Sequence, residues 1–108
     1  MVQDQFLTPL ARFADIVLAT NTHFEQEDIQ VPHNQGDYLI YNHRAIEPLY
    51  EARSDLEILT DLSQRLGITD FNNRTEQEWL QEMMKDAPVD RGTLNTKGVF
   101  RFEPPPPQ

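Results

Sequence analysis

Two short patterns constrain this chain most. Ser54 is followed three residues later by Glu57, and Thr75 by Glu78. In such a pair the hydroxyl accepts the N–H of the third helical residue. The carboxylate reaches back to the N–H of the capping residue, so both pairs mark helix starts. Leu59, Leu62 and Leu66 follow the first start at helical spacing, supported by Leu56 and Ile58. Gly67 stands where a left-handed C-terminal cap is needed. The spacing therefore predicts a helix over residues 55–66 with one buried face. After the second start, Trp79, Leu80, Met83 and Met84 form an apolar stripe, and Pro88 ends the helix soon after Asp86. A connection of about eight residues lets two such helices pack on each other or on a sheet.

The rest of the chain is marked less sharply. Thr8 before Pro9 reads as an N-cap with proline at the first helical position. A short helix over residues 9–14 is expected to bury Leu10 and Phe13. Ile16-Val17-Leu18 lacks polar alternation and predicts a buried, parallel strand. Residues 21–48 are irregular, with a turn at Pro32, Asn34, Gly36 and Asp37. Tyr38-Leu39-Ile40-Tyr41 is a strand candidate. Residues 92–102 read as loop, with a weak strand signal at Val99-Phe100-Arg101-Phe102. Residues 104–108 are a proline-rich tail, expected to be extended. The fold class predicted is mixed α/β, with short strands, two main helices and an irregular C-terminal segment.

Composition narrows the function. At 108 residues the chain is sized for one small domain. Nine basic against 18 acidic residues give a net charge of −9. Nucleic acid and anionic membrane surfaces repel such a chain, so neither is expected as a partner. No apolar run approaches a membrane span, so no membrane insertion is expected. Met1-Val2-Gln3-Asp4-Gln5 lacks the basic start and apolar run of a signal peptide. Without cysteine there is no disulfide, thiolate catalysis or cluster ligation by this chain. The four glycines form no phosphate-cradling loop.

Three groups of residues are candidates for chemistry. His23, His33 and His43 recur every ten residues, a spacing that fits no single helix or strand face. Ordinary loop histidines are the simpler reading, and no metal site is expected. Glu25, Glu27 and Asp28 cluster beside His23. They have the chemistry for acid–base work or for a hard cation, but a solvated loop accounts for them more simply. Asp4 and Thr8 are different. If Val2 lies in a parallel strand, residues 4–8 form a strand-to-helix loop, the edge where open α/β sheets bind ligands. A carboxylate there accepts hydrogen bonds from a base or ribose, and the helix start offers free N–H groups. Capping by Thr8 explains the same residues equally well.

Several segments together resemble one family. Gln3 to Leu18 reads QDQFLTPLARFADIVL, similar to a strand ending in V-x-D, then F-x-T-x-T-A, then A-D-[IV]-[VI]-L-P. Thr22 to Ile29 is similar to the T-x-x-E-x-x-D/G stretch that follows. Arg44-Ala45-Ile46-Glu47-Pro48, Glu51-Ala52-Arg53-Ser54-Asp55-Leu56-Glu57-Ile58 and Arg65-Leu66-Gly67 continue the pattern in order. Leu10 stands where a second threonine is usual, and Ala19 where a proline is usual. The family is the dimethyl sulfoxide reductase superfamily of molybdopterin oxidoreductases.

The resemblance implies an incomplete Rossmann-like piece, with residues 1–103 a fragment of a molybdopterin-dinucleotide-binding domain. It implies molybdopterin guanine dinucleotide as cofactor of the complete enzyme, none of it expected to stay on this chain alone. Asp4 and Thr8 fall on positions that contact the pterin dinucleotide in relatives. Asp28 and Glu47 lie in segments close to it. No catalytic residue or metal ligand is expected here. The implied partner is the remainder of the oxidoreductase, or a second copy meeting it through an exposed apolar face. The alternative is a free-standing acidic binding module that kept the fold without the chemistry.

Overall fold

The computed structural model describes residues 1–32 and 36–102. His33, Asn34 and the proline-rich tail fall outside the described residues. The chain divides into two compact units, one built from Met1–Gln26 and Arg44–Arg74, the other from Glu27–His43 and the segment from Thr75 onward.

The first unit opens with strand β1 (Val2–Asp4), which pairs in parallel with β2 (Val17–Ala19). Val2 lies opposite Val17, Gln3 opposite Leu18 and Asp4 opposite Ala19. A parallel pair needs a crossover of a dozen or so residues, and residues 5–16 supply it. The predicted helix over residues 9–14 is a single 3-10 turn, Ala11–Phe13. One turn is too short to repay helix nucleation. It rotates Ala11 inward, 1% exposed, and leaves Leu10 and Phe13 at 69% and 90%, against the expected burial of both. The predicted strand at residues 16–18 is parallel, as expected, but it starts one residue later and is not buried. Ile16 and Val17 are exposed because no further strand or helix among the described residues covers that side.

A second 3-10 turn, His23–Glu25, follows β2. Residues 44–53 then return past it to the far edge of β2. There Arg53 N–H donates to Ala19 O at 3.3 Å and Asn21 N–H to Arg53 O at 3.0 Å. Helix α1 (Asp55–Arg65) begins as read from the sequence: Ser54 Oγ accepts the N–H of Glu57, and the Glu57 carboxylate accepts that of Ser54. Gly67 follows the C-cap Leu66 at φ 77°, a left-handed angle that costs glycine little. Ile58 is the buried apolar residue of this helix, while Leu59 and Leu66 face outward.

The second unit is an antiparallel sheet with two helices. Strands β3 (Asp28–Gln30), β4 (Tyr38–Asn42) and β5 (Val99–Arg101) pair in the order β3-β4-β5. Ile29 lies opposite Tyr41, and Leu39 opposite Phe100. β4 alternates buried and half-buried residues, the pattern of a central strand with one covered face. Helices α2 (Glu76–Met83) and α3 (Arg91–Lys97) cover that face. Leu80, Met84, Val89 and Leu94 close a core with Ile29, Leu39 and Tyr41. α2 ends at Met83, earlier than the proline alone indicates, and Met83 itself is exposed.

Two elements of this unit were read as irregular chain. β3 carries a single apolar residue, Ile29, so its strand character comes from pairing with β4. α3 contains Gly92, Thr93, Asn95 and Thr96, all poor helix formers. Its ends nonetheless carry signals. Asp90 accepts the N–H of Thr93 at 2.9 Å, and Gly98 closes the helix at φ 75°. Leu94, fully buried, anchors α3 on the sheet.

Candidate functional site

β1 ends at Asp4, and the chain turns at once. Asp4 Oδ1 accepts the N–H groups of Gln5 at 2.8 Å and Phe6 at 3.4 Å. Asp4 Oδ2 accepts the hydroxyl of Thr8 at 2.7 Å. The Thr8 hydroxyl in turn accepts the N–H of Ala11, the first residue of the 3-10 turn, at 3.2 Å. The N-cap of that turn is Leu10 rather than Thr8, so Thr8 links the strand-end loop to the turn instead of capping a helix that starts at Pro9. These bonds hold the Asp4 carboxyl below the ordinary carboxylate range, the Thr8 hydroxyl contributing most. Asp4 is ionised at neutral pH. A carboxylate offers about four acceptor sites, and the three bonds named here leave one on Oδ2 for a donor from outside.

The loop after Asp4 is tethered to the neighbouring strand end. Gln5 Nε2 donates to the carbonyl of Asn21, a buried residue, at 3.0 Å. Phe6, Leu7 and Leu10 surround this edge with exposed apolar surface.

Of the four residues singled out, Asp4 and Thr8 come together. Glu47 is on the return segment of the first unit, 79% exposed and paired with Arg44 at 3.2 Å. Asp28 begins β3 in the second unit, where its Oδ1 accepts the N–H of Ile29 at 2.8 Å.

The acidic cluster beside His23 separates into structural roles. Glu27 accepts from Gln77 Nε2 at 2.7 Å and lies 3.6 Å from Arg91. Arg91 also donates to the Tyr41 hydroxyl at 3.2 Å and to Gln77. This network ties α2 and α3 to the sheet. Among the described residues no three histidine or acidic side chains converge as a metal site.

Glu25 has the most specific role in that cluster. It is 4% exposed. Its Oε2 accepts the N–H of Thr22 at 2.6 Å, and its Oε1 the N–H of Leu49 at 2.6 Å. The Thr22 backbone bond contributes most to holding this carboxyl below its ordinary range, followed by that of Leu49. Thr22 and Glu25 form a third capping box, the same T-x-x-E spacing that marks α2. The signal was present in the sequence, but no apolar stripe follows it to announce a helix.

One cleft of about 290 Å³ opens beside β2, lined by Val17, Leu18, Ala19, Glu51, Arg53 and Ile58. It holds none of the four predicted residues. Arg53 there lies 3.6 Å from Asp61.

The sequence profile described as Molybdopterin oxidoreductase matches residues 1–65, more than half of the chain. The chain belongs to the molybdopterin oxidoreductase family. Family membership implies a molybdopterin cofactor. Among curated relatives, it is 39% identical over 109 residues to a dimethyl sulfoxide/trimethylamine N-oxide reductase of Cereibacter sphaeroides, covering 95% of this chain and 13% of that protein. It is 35% identical over 102 residues to a trimethylamine-N-oxide reductase of Haemophilus influenzae, covering 89% and 12%. A biotin sulfoxide reductase of Cereibacter sphaeroides is 37% identical over 89 residues, covering 81% and 12%. Among solved structures, acetylene hydratase from Pelobacter acetylenicus superimposes with a TM-score of 0.74 at 23% identity, over 95% of this chain and 14% of that one. That likeness shows the mixed α/β fold. The chain spans only 12% to 13% of the length of the three curated relatives. No helix among the described residues is long and apolar enough to cross a membrane.

Proposed function

We propose that this chain supplies one edge of a molybdopterin guanine dinucleotide site in a larger reductase of the sulfoxide or N-oxide class. In this reading residues 1–103 are part of the dinucleotide-binding domain, and residues 104–108 are a tail. When bound, the cofactor supplies two-electron removal of an oxygen atom from a substrate. The protein's share is to bind and orient it.

The observation that carries this reading is the Asp4–Thr8 pair at the carboxyl end of a parallel strand, the edge where open α/β sheets take ligands. The chemistry of the pair fits the group. An ionised carboxylate with an acceptor site to spare takes an N–H from a purine or an O–H from a ribose. Thr8 keeps that carboxylate in place and charged. Glu47 extends the same unit with a second carboxylate, and Asp28 stands at the start of β3. No residue of this chain acts on substrate in this reading, and the chain alone holds no cofactor. The exposed apolar residues Phe6, Leu7, Leu10 and Phe13 are then surface for the remainder of the reductase.

The size of the native polypeptide tests this. A denaturing blot of the source cells, probed with an antibody to this segment, is expected to show a band several times larger than the chain. Pterin and metal are expected to copurify with it, and Asp4→Ala is expected to lower the pterin content. A band at the size of the chain itself overturns the reading and leaves a free-standing binding module that associates through its apolar face.

A further inference from the structure

We propose that Glu25 is a positioning residue for the return segment, residues 44–53, and sets where Glu47 and Tyr50 stand. The segment would otherwise be a loop with little to hold it. Residues 43–51 are all exposed. Ala45 and Ile46 donate their N–H groups to one carbonyl, Phe24 O, at 2.8 and 3.0 Å. Arg53 joins β2 at the other end. Between these attachments lies the 2.6 Å bond from Leu49 N–H to Glu25.

The residue after Leu49 explains why a charged clamp is placed there. Tyr50 is the sole non-glycine with positive φ among the described residues, at 57°, and its side chain is fully exposed. A left-handed tyrosine is disfavoured and persists where its surroundings over-determine it. No packing of its own side chain holds it. The Glu25 bond on one side and the turn closed by Ala52 N–H to Leu49 O at 3.1 Å hold the backbone instead. The two Glu25 oxygens each take one N–H, so both must be acceptors. A glutamine offers a single acceptor and turns its NH₂ toward the other N–H.

The importance of Glu47 to a cofactor rests on the reading above; the clamp does not. Amide hydrogen exchange on this chain without cofactor therefore tests the clamp separately from the blot and pterin assay. In the wild-type chain the Leu49 N–H is expected to exchange far more slowly than an unstructured peptide. Glu25→Gln is expected to accelerate exchange at Leu49 or Thr22 about tenfold while Ile58 in α1 keeps its protection. Adding Tyr50→Gly, which relieves the left-handed turn, is expected to shrink that acceleration. Three results overturn the proposal: free exchange of Leu49 in the wild type, a loss spread evenly over α1, or strictly additive effects of the two substitutions. If Glu25→Gln does not fold, the wild-type measurement still decides.

Discussion

The two units solve the same problem in opposite ways. The second closes a core of seven buried apolar residues drawn from β3, β4, α2, α3 and the link between the helices. The first has Ala11 and Ile58 as its buried apolar residues, with Thr20, Asn21, Glu25, Ser54 and Ser63 as its buried polar ones. Of the 18 large apolar side chains exposed among the described residues, 15 belong to the first unit, and Val31, Met83 and Val99 to the second. The first unit is held by directional bonds: Asp4 to Thr8 within one loop, and Glu25 to Leu49 and Arg53 to β2 between segments. A soluble monomer rarely leaves so much apolar surface bare. The contrast fits a chain in which one part completes itself and the other is finished by something outside it, as the reductase reading requires.

The largest expected effect probes the self-sufficient unit. Leu94 is fully buried, so Leu94→Ala is expected to cost about 2–5 kcal/mol there. Residue-resolved hydrogen exchange checks whether β3, β4 and β5 lose protection while the α1 amides keep theirs. Loss in both units together would break the contrast.

Acid separates the units next. Asp4 and Glu25 in the first unit and Asp90 in the second have folded pKa values below their ordinary ones. For Asp90 the Thr93 hydroxyl is the main cause. Such groups bind protons more readily unfolded than folded. Their stabilisation is complete above the ordinary carboxylate range and is lost as pH falls through the lowered values. Protonating the buried Glu25 removes the bond that ties the return segment, whereas protonating Asp90 weakens only the exposed cap of α3. The first unit is therefore expected to lose structure first on acidification. Amide chemical shifts followed from pH 6 downward check the order.

The capping boxes give a matched pair of smaller effects. Ser54→Ala in the first unit and Thr75→Ala in the second are each expected to cost about 1 kcal/mol. Urea unfolding followed at each helix measures both. Equal costs would show that local capping is indifferent to whether a core lies beneath it.

The smallest effect has the opposite sign. Tyr50→Gly removes the left-handed penalty without losing packing, since the side chain is fully exposed. It is expected to stabilise the first unit by about 0.5–1 kcal/mol, after the entropy glycine adds to the unfolded chain. A fall in stability would show that Tyr50 makes contacts worth more than the strain.

Legibility in the sequence followed how locally each feature is determined. α1 and α2 were readable because a capping box and an apolar stripe coincide within one helix. β4 was readable from its apolar, aromatic run. α3 was missed although Asp90 and Gly98 mark its ends, because its interior is poor in helix formers and Leu94 alone anchors it. β3 was missed because two of its three residues are polar. At the candidate site, spacing put Asp4 and Thr8 in one strand-end loop and left ligand binding and simple capping even, and the family resemblance favours the ligand-binding reading proposed above. Glu25 was visible as an acidic residue but not as a clamp, since its partner Leu49 lies 24 positions away.

By itself, the sequence determined the starts of α1 and α2, the left-handed stop at Gly67, the polarity of the chain and its family, because each depends on neighbouring residues or on their order. Tertiary structure alone decided which apolar residues are covered. Leu10, Phe13 and Val17 look like core in the sequence and stand exposed, whereas Leu94, in an unpromising stretch, is wholly buried. Burial depends on what else is present to cover a side chain, and that information is spread over the whole fold.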